Sequence, residues 1–168
     1  LGRYQIREMI GEGAMARVYK AYDPEIDRTL AIKVLKPHLS KDDQYRGRFL
    51  REARAAGVLS HPNIVTIFDV GVEGDVPYIA MELIDGMTLG DLIRTERQFT
   101  VQEIVDIGIE LTRALDFAHR KGIVHRDVKP GNVMMVQDRN TVKVTDFGIC
   151  QVDSADAMGE KVKSFGGT

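Results

Sequence analysis

The hydrophobic pattern changes character once along the sequence, at Asp85-Gly86. No other feature limits the fold as much. Before that point, apolar residues fall in short runs bounded by glycine, proline and acidic turns, as strands do. Tyr4, Ile6, Glu8 and Ile10 mix with polar residues in rough alternation. Gly11-Glu12-Gly13 interrupts them, and Val18–Tyr22 resumes the pattern until Asp23-Pro24 marks a turn. Thr29–Leu35 is β-branched and apolar and predicts a third strand. Within residues 42–59, Phe49, Leu50, Ala53, Ala56 and Leu59 recur at a helical period. His61-Pro62-Asn63 stops that helix. Ile64–Val72 and Val76–Ile84 predict two more strands around a turn at Glu73-Gly74-Asp75.

After Asp85-Gly86 the helical period takes over. Leu89, Leu92 and Ile93 predict a short helix, and Thr100-Val-Gln-Glu103 has the form of a capping box. Val101, Ile104, Val105, Ile109, Leu115 and Ala118 follow at mostly helical spacing, and Gly122 is placed to end the helix. Two apolar runs, 133–136 and 142–144, flank a turn at Asp138-Arg139-Asn140. Strands first and helices second predict an α+β protein of two lobes, residues 1–84 and 85–168, with a hinge near 82–86.

The sequence is 43% hydrophobic and 29% charged, enough apolar material for a core. A net charge of −2 gives no reason to expect nucleic acid or an anionic membrane as a partner. Arg46, Arg48, Arg51 and Arg54 fall on the predicted helix and read as a solvated face. A single cysteine, Cys150, rules out a disulfide within this chain and makes the cytoplasm the expected compartment. No run is long and apolar enough to span a membrane. The start lacks an initiator Met and a signal-peptide shape, so both ends read as cut.

Four short motifs carry the chemistry. Gly11-Glu-Gly13-Ala-Met-Ala16-Arg-Val18 lies between two strand patterns. Such glycines let backbone N–H groups approach phosphate, although a plain hairpin turn looks similar. Lys33 stands alone in an apolar strand: it is either an edge lysine facing water or a cation reaching inward to phosphates. An inward lysine needs a carboxylate, and Glu52 on the following helix is the candidate, its alternative being plain surface. Thr145-Asp146-Phe147-Gly148 offers a carboxylate suited to Mg²⁺, or a simple turn. The strongest is His125-Arg-Asp-Val-Lys-Pro-Gly-Asn132, with five polar functional side chains between two apolar segments. Polar groups there are costly unless paired or used. Asp127 can accept a proton, Lys129 can neutralise phosphate, and Asn132 offers an amide oxygen to a metal.

In this order the motifs resemble the protein kinase signature set. Ser60–Val65, Pro77–Glu82 and Lys129 make the sequence similar to bacterial Ser/Thr kinases of the eukaryotic-like type. The resemblance implies a five-stranded antiparallel sheet with one helix in the first lobe and a partly helical second lobe. It implies that Ile10, Gly11, Glu12, Gly13, Ala14, Met15, Ala16, Arg17 and Val18 cover the phosphates of ATP. By the same resemblance, Lys33 holds the α- and β-phosphates and pairs with Glu52. Met81 is the gatekeeper, Glu82, Leu83 and Ile84 present backbone to the adenine edge, and Val18, Ala31 and Met134 sandwich the ring. Asp127 orients the substrate hydroxyl, Lys129 steadies the γ-phosphate, and Asn132 and Asp146 hold Mg²⁺, with Mn²⁺ as the alternative ion. The implied partner is a protein phosphorylated on Ser or Thr, with self-association as a route to activation.

The resemblance also has gaps. Ala16 replaces the third glycine of the loop, and the Ala-Pro-Glu motif of that family does not occur. A nucleotide-binding regulatory module or an inactive fragment is the rival reading; Lys33, Asp127 and Asp146 are all retained, which favours an enzyme. Arg126 is expected to pair with a phosphorylated Ser164 or Ser154, and Cys150 is either a reactive thiol or a small buried hydrophobe.

Overall fold

The computed structural model describes residues 1–137 and 141–147. Five strands form one antiparallel sheet: β1 (Gln5–Glu12), β2 (Ala16–Asp23), β3 (Arg28–Leu35), β4 (Ile67–Glu73) and β5 (Val76–Met81). Their spatial order is β1-β2-β3-β5-β4, which makes β3 the middle strand. Its side chains alternate between two apolar layers. Ala31 and Leu35 pack on one face with Phe49, Ala53 and Ile79. Leu30 and Ile32 pack on the other with Tyr4, Tyr78 and Ala80.

A short helix, α1 (Pro37–Ser40), and a longer one, α2 (Asp43–Ala56), close the first of these faces. The Asp42 carboxylate caps α2 by accepting from the N–H groups of Gln44 and Tyr45. Phe49, Ala53 and Ala56 are its buried stripe, as the period predicts. The helix stops three residues short of the predicted Leu59, because Gly57 is its C-cap.

The second lobe begins with β6 (Gly86–Thr88) and α3 (Leu89–Arg94), followed by α4 (Val101–Arg120). The capping box at Thr100 and Glu103 is present, both halves bonded. At the other end of α4, Gly122 has φ +74°. Its N–H reaches the His119 carbonyl at 2.9 Å, and the Ile123 N–H reaches that of Ala118 at 3.0 Å. That pair of bonds is the Schellman motif, and the positive φ is why glycine stands there. Ala114 and Ala118 bury against Leu59, Ile64, Val144 and Phe147. Val101, Ile104, Val105 and Ile109, at helical spacing in the sequence, remain exposed on α4.

A 3-10 turn, Pro130–Asn132, leads into β7 (Val133–Val136), which pairs with β6 and with β8 (Val142–Val144). The predicted turn at 138–140 lies outside the described residues. The strand predicted from Ile64 starts at Ile67 instead. Residues 63–65 bond to β8: Val65 N–H to Val144 O at 2.9 Å and Val144 N–H to Asn63 O at 2.8 Å. Their ladder partners belong to the second lobe, so they cannot join β4. The last predicted strand ends at Met81, leaving Glu82–Ile84 as an open connection. The three-residue β6 and four-residue α1 are too short to impose a period on the sequence.

Glu110 on α4 fixes the start of β8. Its Oε2 accepts from Asn63 Nδ2 at 3.0 Å, Thr141 Oγ1 at 2.7 Å and Val142 N–H at 2.6 Å. Removing that acceptor leaves donors unpaired. Glu110→Ala is expected to lower unfolding free energy by about 2 kcal/mol in urea titration, and Glu110→Gln, which keeps a carbonyl oxygen, by less. Equal losses in the two variants contradict this account.

Candidate active site

The two lobes enclose a cleft of two adjoining parts. The outer part has a volume of about 320 Å³. Ile10, Gly11, Val18 and Ala31 line it from the five-stranded sheet, Met134 lines it from β7, and Met81 to Ile84 form its back edge. The predicted adenine-binding residues therefore meet in one cavity. Gly86 also lines it, and its residue type is forced: an added Cβ would sit 1.9 Å from the Met135 carbonyl oxygen. Only glycine lets β6 lie this close to β7.

The inner part measures about 440 Å³ and is lined by Gly13 to Ala16, Lys33, Asp127, Lys129, Asn132 and Asp146, among others. Its roof is the β1–β2 loop, where Gly13 N–H bonds Ala16 O at 2.9 Å. The Met15 carbonyl accepts from Lys36 N–H at 2.9 Å, which ties the loop tip to the end of β3. Glu12 and Arg17 line neither part; Glu12 Oε1 instead pairs with Arg17 Nε at 3.2 Å and Lys36 Nζ at 2.9 Å. Those two cations hold the Glu12 carboxyl below the usual range, Lys36 contributing most.

Lys33 is paired on both sides, with Val18 and Ile79, and is 7% exposed. It is not an edge residue. Its Nζ donates to Asp146 Oδ1 at 2.6 Å. No Lys33–Glu52 ion pair forms among the described residues, so the expected partner differs from the observed one. Glu52 Oε2 is nonetheless shielded from water on α2, so plain surface does not describe it. The carboxylate bonded to Lys33 comes instead from the residues just after β8.

The loop from His125 to Asn132 is built on a buried imidazole. His125 is 1% exposed and packs its ring on Phe147 at 4.5 Å between centroids. Its Nε2 lies 2.9 Å from the Thr145 carbonyl oxygen, which can only accept, so Nε2 carries the proton. Nδ1 is then free to accept the Asp127 N–H at 3.2 Å. One ring thus fixes the backbone of both loops. Arg126 and Asp146 both occupy the left-handed region, at φ +64° and +61°. For residues other than glycine that conformation is strained and persists only where the surroundings impose it.

Asp127 is held by its neighbours. Lys129 Nζ donates to Oδ2 at 2.7 Å, and Asn132 Nδ2 donates to the same oxygen at 3.0 Å and to the Asp127 carbonyl at 2.8 Å. The Lys129 hydrogen bond, chiefly, and that of Asn132 hold the Asp127 carboxyl below its ordinary value, against the opposing effect of burial. With the Asn132 amide nitrogen committed to Asp127, its carbonyl oxygen is left as a possible ligand. Asp146 keeps Oδ2 beside its bonded Oδ1. These are hard oxygen donors lining one cavity, and they fit a small divalent cation.

Val65, Met87, Thr88 and Asp91 also line the outer part, and none of them belongs to the predicted site. Asp91 stands at the outer cleft, where its carboxylate accepts from Thr88 Oγ1 at 2.5 Å and pairs with Arg94. Thr88 caps α3 by accepting the Asp91 N–H. The spacing Thr-x-x-Asp is itself a cap signature and could have marked this corner. Gly148, Cys150, Ser154 and Ser164 lie outside the described residues.

Known proteins share this arrangement. The protein kinase domain family matches residues 4–168. A probable serine/threonine-protein kinase of Clostridium acetobutylicum is 45% identical over 152 residues, covering 90% of this chain and 23% of that protein. Serine/threonine-protein kinase PknB of Mycobacterium tuberculosis is 40% identical over 170 residues, covering 98% and 27%. The chain spans about a quarter of the length of these curated relatives. The crystal structure of the Mycobacterium tuberculosis PknI kinase domain superposes with a TM-score of 0.79 at 34% identity, covering 89% of this chain and 61% of that one. Sequence, fold and the convergence of Lys33, Asp127, Asn132 and Asp146 agree, and the chain belongs to the protein kinase domain family.

Proposed function

We propose that this protein holds the ATP-binding and phosphoryl-transfer centre of a Ser/Thr protein kinase, formed between lobes 1–84 and 85–168. The observation that carries this reading is the shared cavity of Lys33, Asp127, Lys129, Asn132 and Asp146. The adenine ring enters between Val18 and Ala31 above and Met134 below, with Glu82 to Ile84 at its edge. The triphosphate then runs beneath the glycine loop towards Lys33.

Asn132 and Asp146 are the residues that would hold Mg²⁺, whose charge neutralises phosphate oxygens during transfer. Asp127 accepts a hydrogen bond from the Ser or Thr hydroxyl of a protein substrate, aims its oxygen at the γ-phosphorus and takes its proton as the new P–O bond forms. The weak basicity of Asp127 suits proton uptake late in the transfer, once the hydroxyl has become acidic. Lys129 is within bonding distance of Asp127, so its charge lies beside the group being transferred. Alignment and charge neutralisation supply the rate, with no covalent intermediate on the protein.

The test is incubation of the full-length protein with γ-labelled ATP, Mg²⁺ and a generic basic protein acceptor. Label on phosphoserine or phosphothreonine, abolished by chelation of the metal, is expected. Nucleotide binding without label on protein contradicts the reading.

A further inference from the structure

Glu82 contributes its backbone to the cleft edge, but its side chain is engaged elsewhere. Oε2 accepts from Lys143 Nζ at 2.9 Å and from the Thr66 N–H at 3.2 Å. The Glu82 N–H in turn donates to Thr66 O at 2.9 Å. Glu82 is therefore held at both ends, by its backbone and by its carboxylate, and its peptide groups have a fixed direction. Lys143 brings in the opposite wall. It stands on β8 directly across from Met134, which forms the cleft floor. The lysine and glutamate side chains are only 16% and 28% exposed, so water competes poorly for this charged bond.

We propose that the Lys143–Glu82 pair is a positioning device that sets the base selectivity of the cleft. This rests on the kinase reading and extends it. Adenine presents a donor beside an acceptor on its pairing edge, and guanine presents the reverse. Backbone C=O and N–H groups discriminate between them only while their directions are held, since a small rotation lets either base find a partner. Selectivity then depends on buried polar groups that the wrong base leaves unpaired. Lys143 touches neither nucleotide nor substrate; it acts through Glu82, fixing the edge against the floor.

The experiment compares wild type, Lys143→Met and Lys143→Arg in the full-length protein, measuring kcat/KM for phosphotransfer from ATP and from GTP. The ATP/GTP ratio is expected to fall about tenfold in Lys143→Met and to stay within about twofold of wild type in Lys143→Arg. A Lys143→Met protein with the wild-type ratio overturns the proposal, even if both nucleotides turn over more slowly, because general weakening leaves a ratio unchanged. If Lys143→Met fails to fold by circular dichroism, Glu82→Gln carries the test. It keeps the acceptor oxygen and removes only the charge, and a ratio lowered about threefold is expected, an unchanged one overturning the proposal. Wild-type protein that transfers from neither nucleotide overturns the kinase reading, and this inference with it.

Discussion

Asp127→Asn is expected to slow phosphoryl transfer by about a hundredfold or more, on the order of 3 kcal/mol in the barrier, with ATP affinity nearly unchanged. The variant keeps the shape of the side chain and one oxygen to accept from Asn132 or Lys129. What it loses is the negative charge that faces Lys129 at 2.7 Å and the capacity to take a proton. The loss therefore falls on kcat, the signature of an interaction made only in the transition state. The Asp127 carboxyl is held below its ordinary value by Lys129 first, so its ionised form persists as pH falls through the usual Asp range. In pH profiles, kcat of the wild type is expected to show no acidic limb from Asp127 within the usual Asp range or above it. An Asp127→Asn protein with near-normal turnover removes Asp127 from the mechanism.

Lys33→Met is the second large effect, and it should differ in kind. Lys33 is the cation at the inner cleft wall, 7% exposed and bonded to Asp146 at 2.6 Å. Methionine fills nearly the same volume in the middle strand, so the sheet is expected to survive. The charge facing the phosphates disappears, and Asp146 loses the group that orients it. Both nucleotide binding and transfer then fall, with kcat/KM reduced by about a hundredfold or more. Isothermal titration with ADP alongside the rate measurement separates the two variants: affinity falls for Lys33→Met and holds for Asp127→Asn. The same profile in both variants contradicts the separate roles.

Much of this was legible in the sequence for identifiable reasons. Long elements announced themselves: the stripe of Phe49, Ala53 and Ala56 gave α2, and Thr100 with Glu103 gave the start of α4. The polar residues that line the inner cleft were legible because polar side chains in apolar surroundings require an explanation, as with Lys33 in β3 and Asn132 before β7. Pairings were harder to read. The partner of Lys33 depends on where residues 145–147 run after β8, a tertiary fact with no local signal, and it proved to be Asp146. Ile64 and Val65 look like strand residues, but Ile64 pairs with Val144 as an isolated bridge and the Val65 N–H donates to the Val144 carbonyl on β8. Lys143 reads as one polar residue in a short strand, and its partner Glu82 is 61 positions away. The roles of glycine followed the same division: Gly122 could be read from the helix it ends, but Gly86 only from the Met135 carbonyl lying against it.

If one cavity binds ATP and passes its γ-phosphoryl group to a hydroxyl aligned by Asp127, nucleotide occupancy and transfer separate on substitution of Asp127. The most direct measurement follows γ-labelled ATP in the full-length protein, wild type and Asp127→Asn, with bound nucleotide and transferred label quantified in the same samples. Equal nucleotide occupancy is expected in the two proteins, with label reaching serine or threonine at an appreciable rate in the wild type alone. Equal transfer by both proteins, or occupancy without transfer in the wild type, contradicts it.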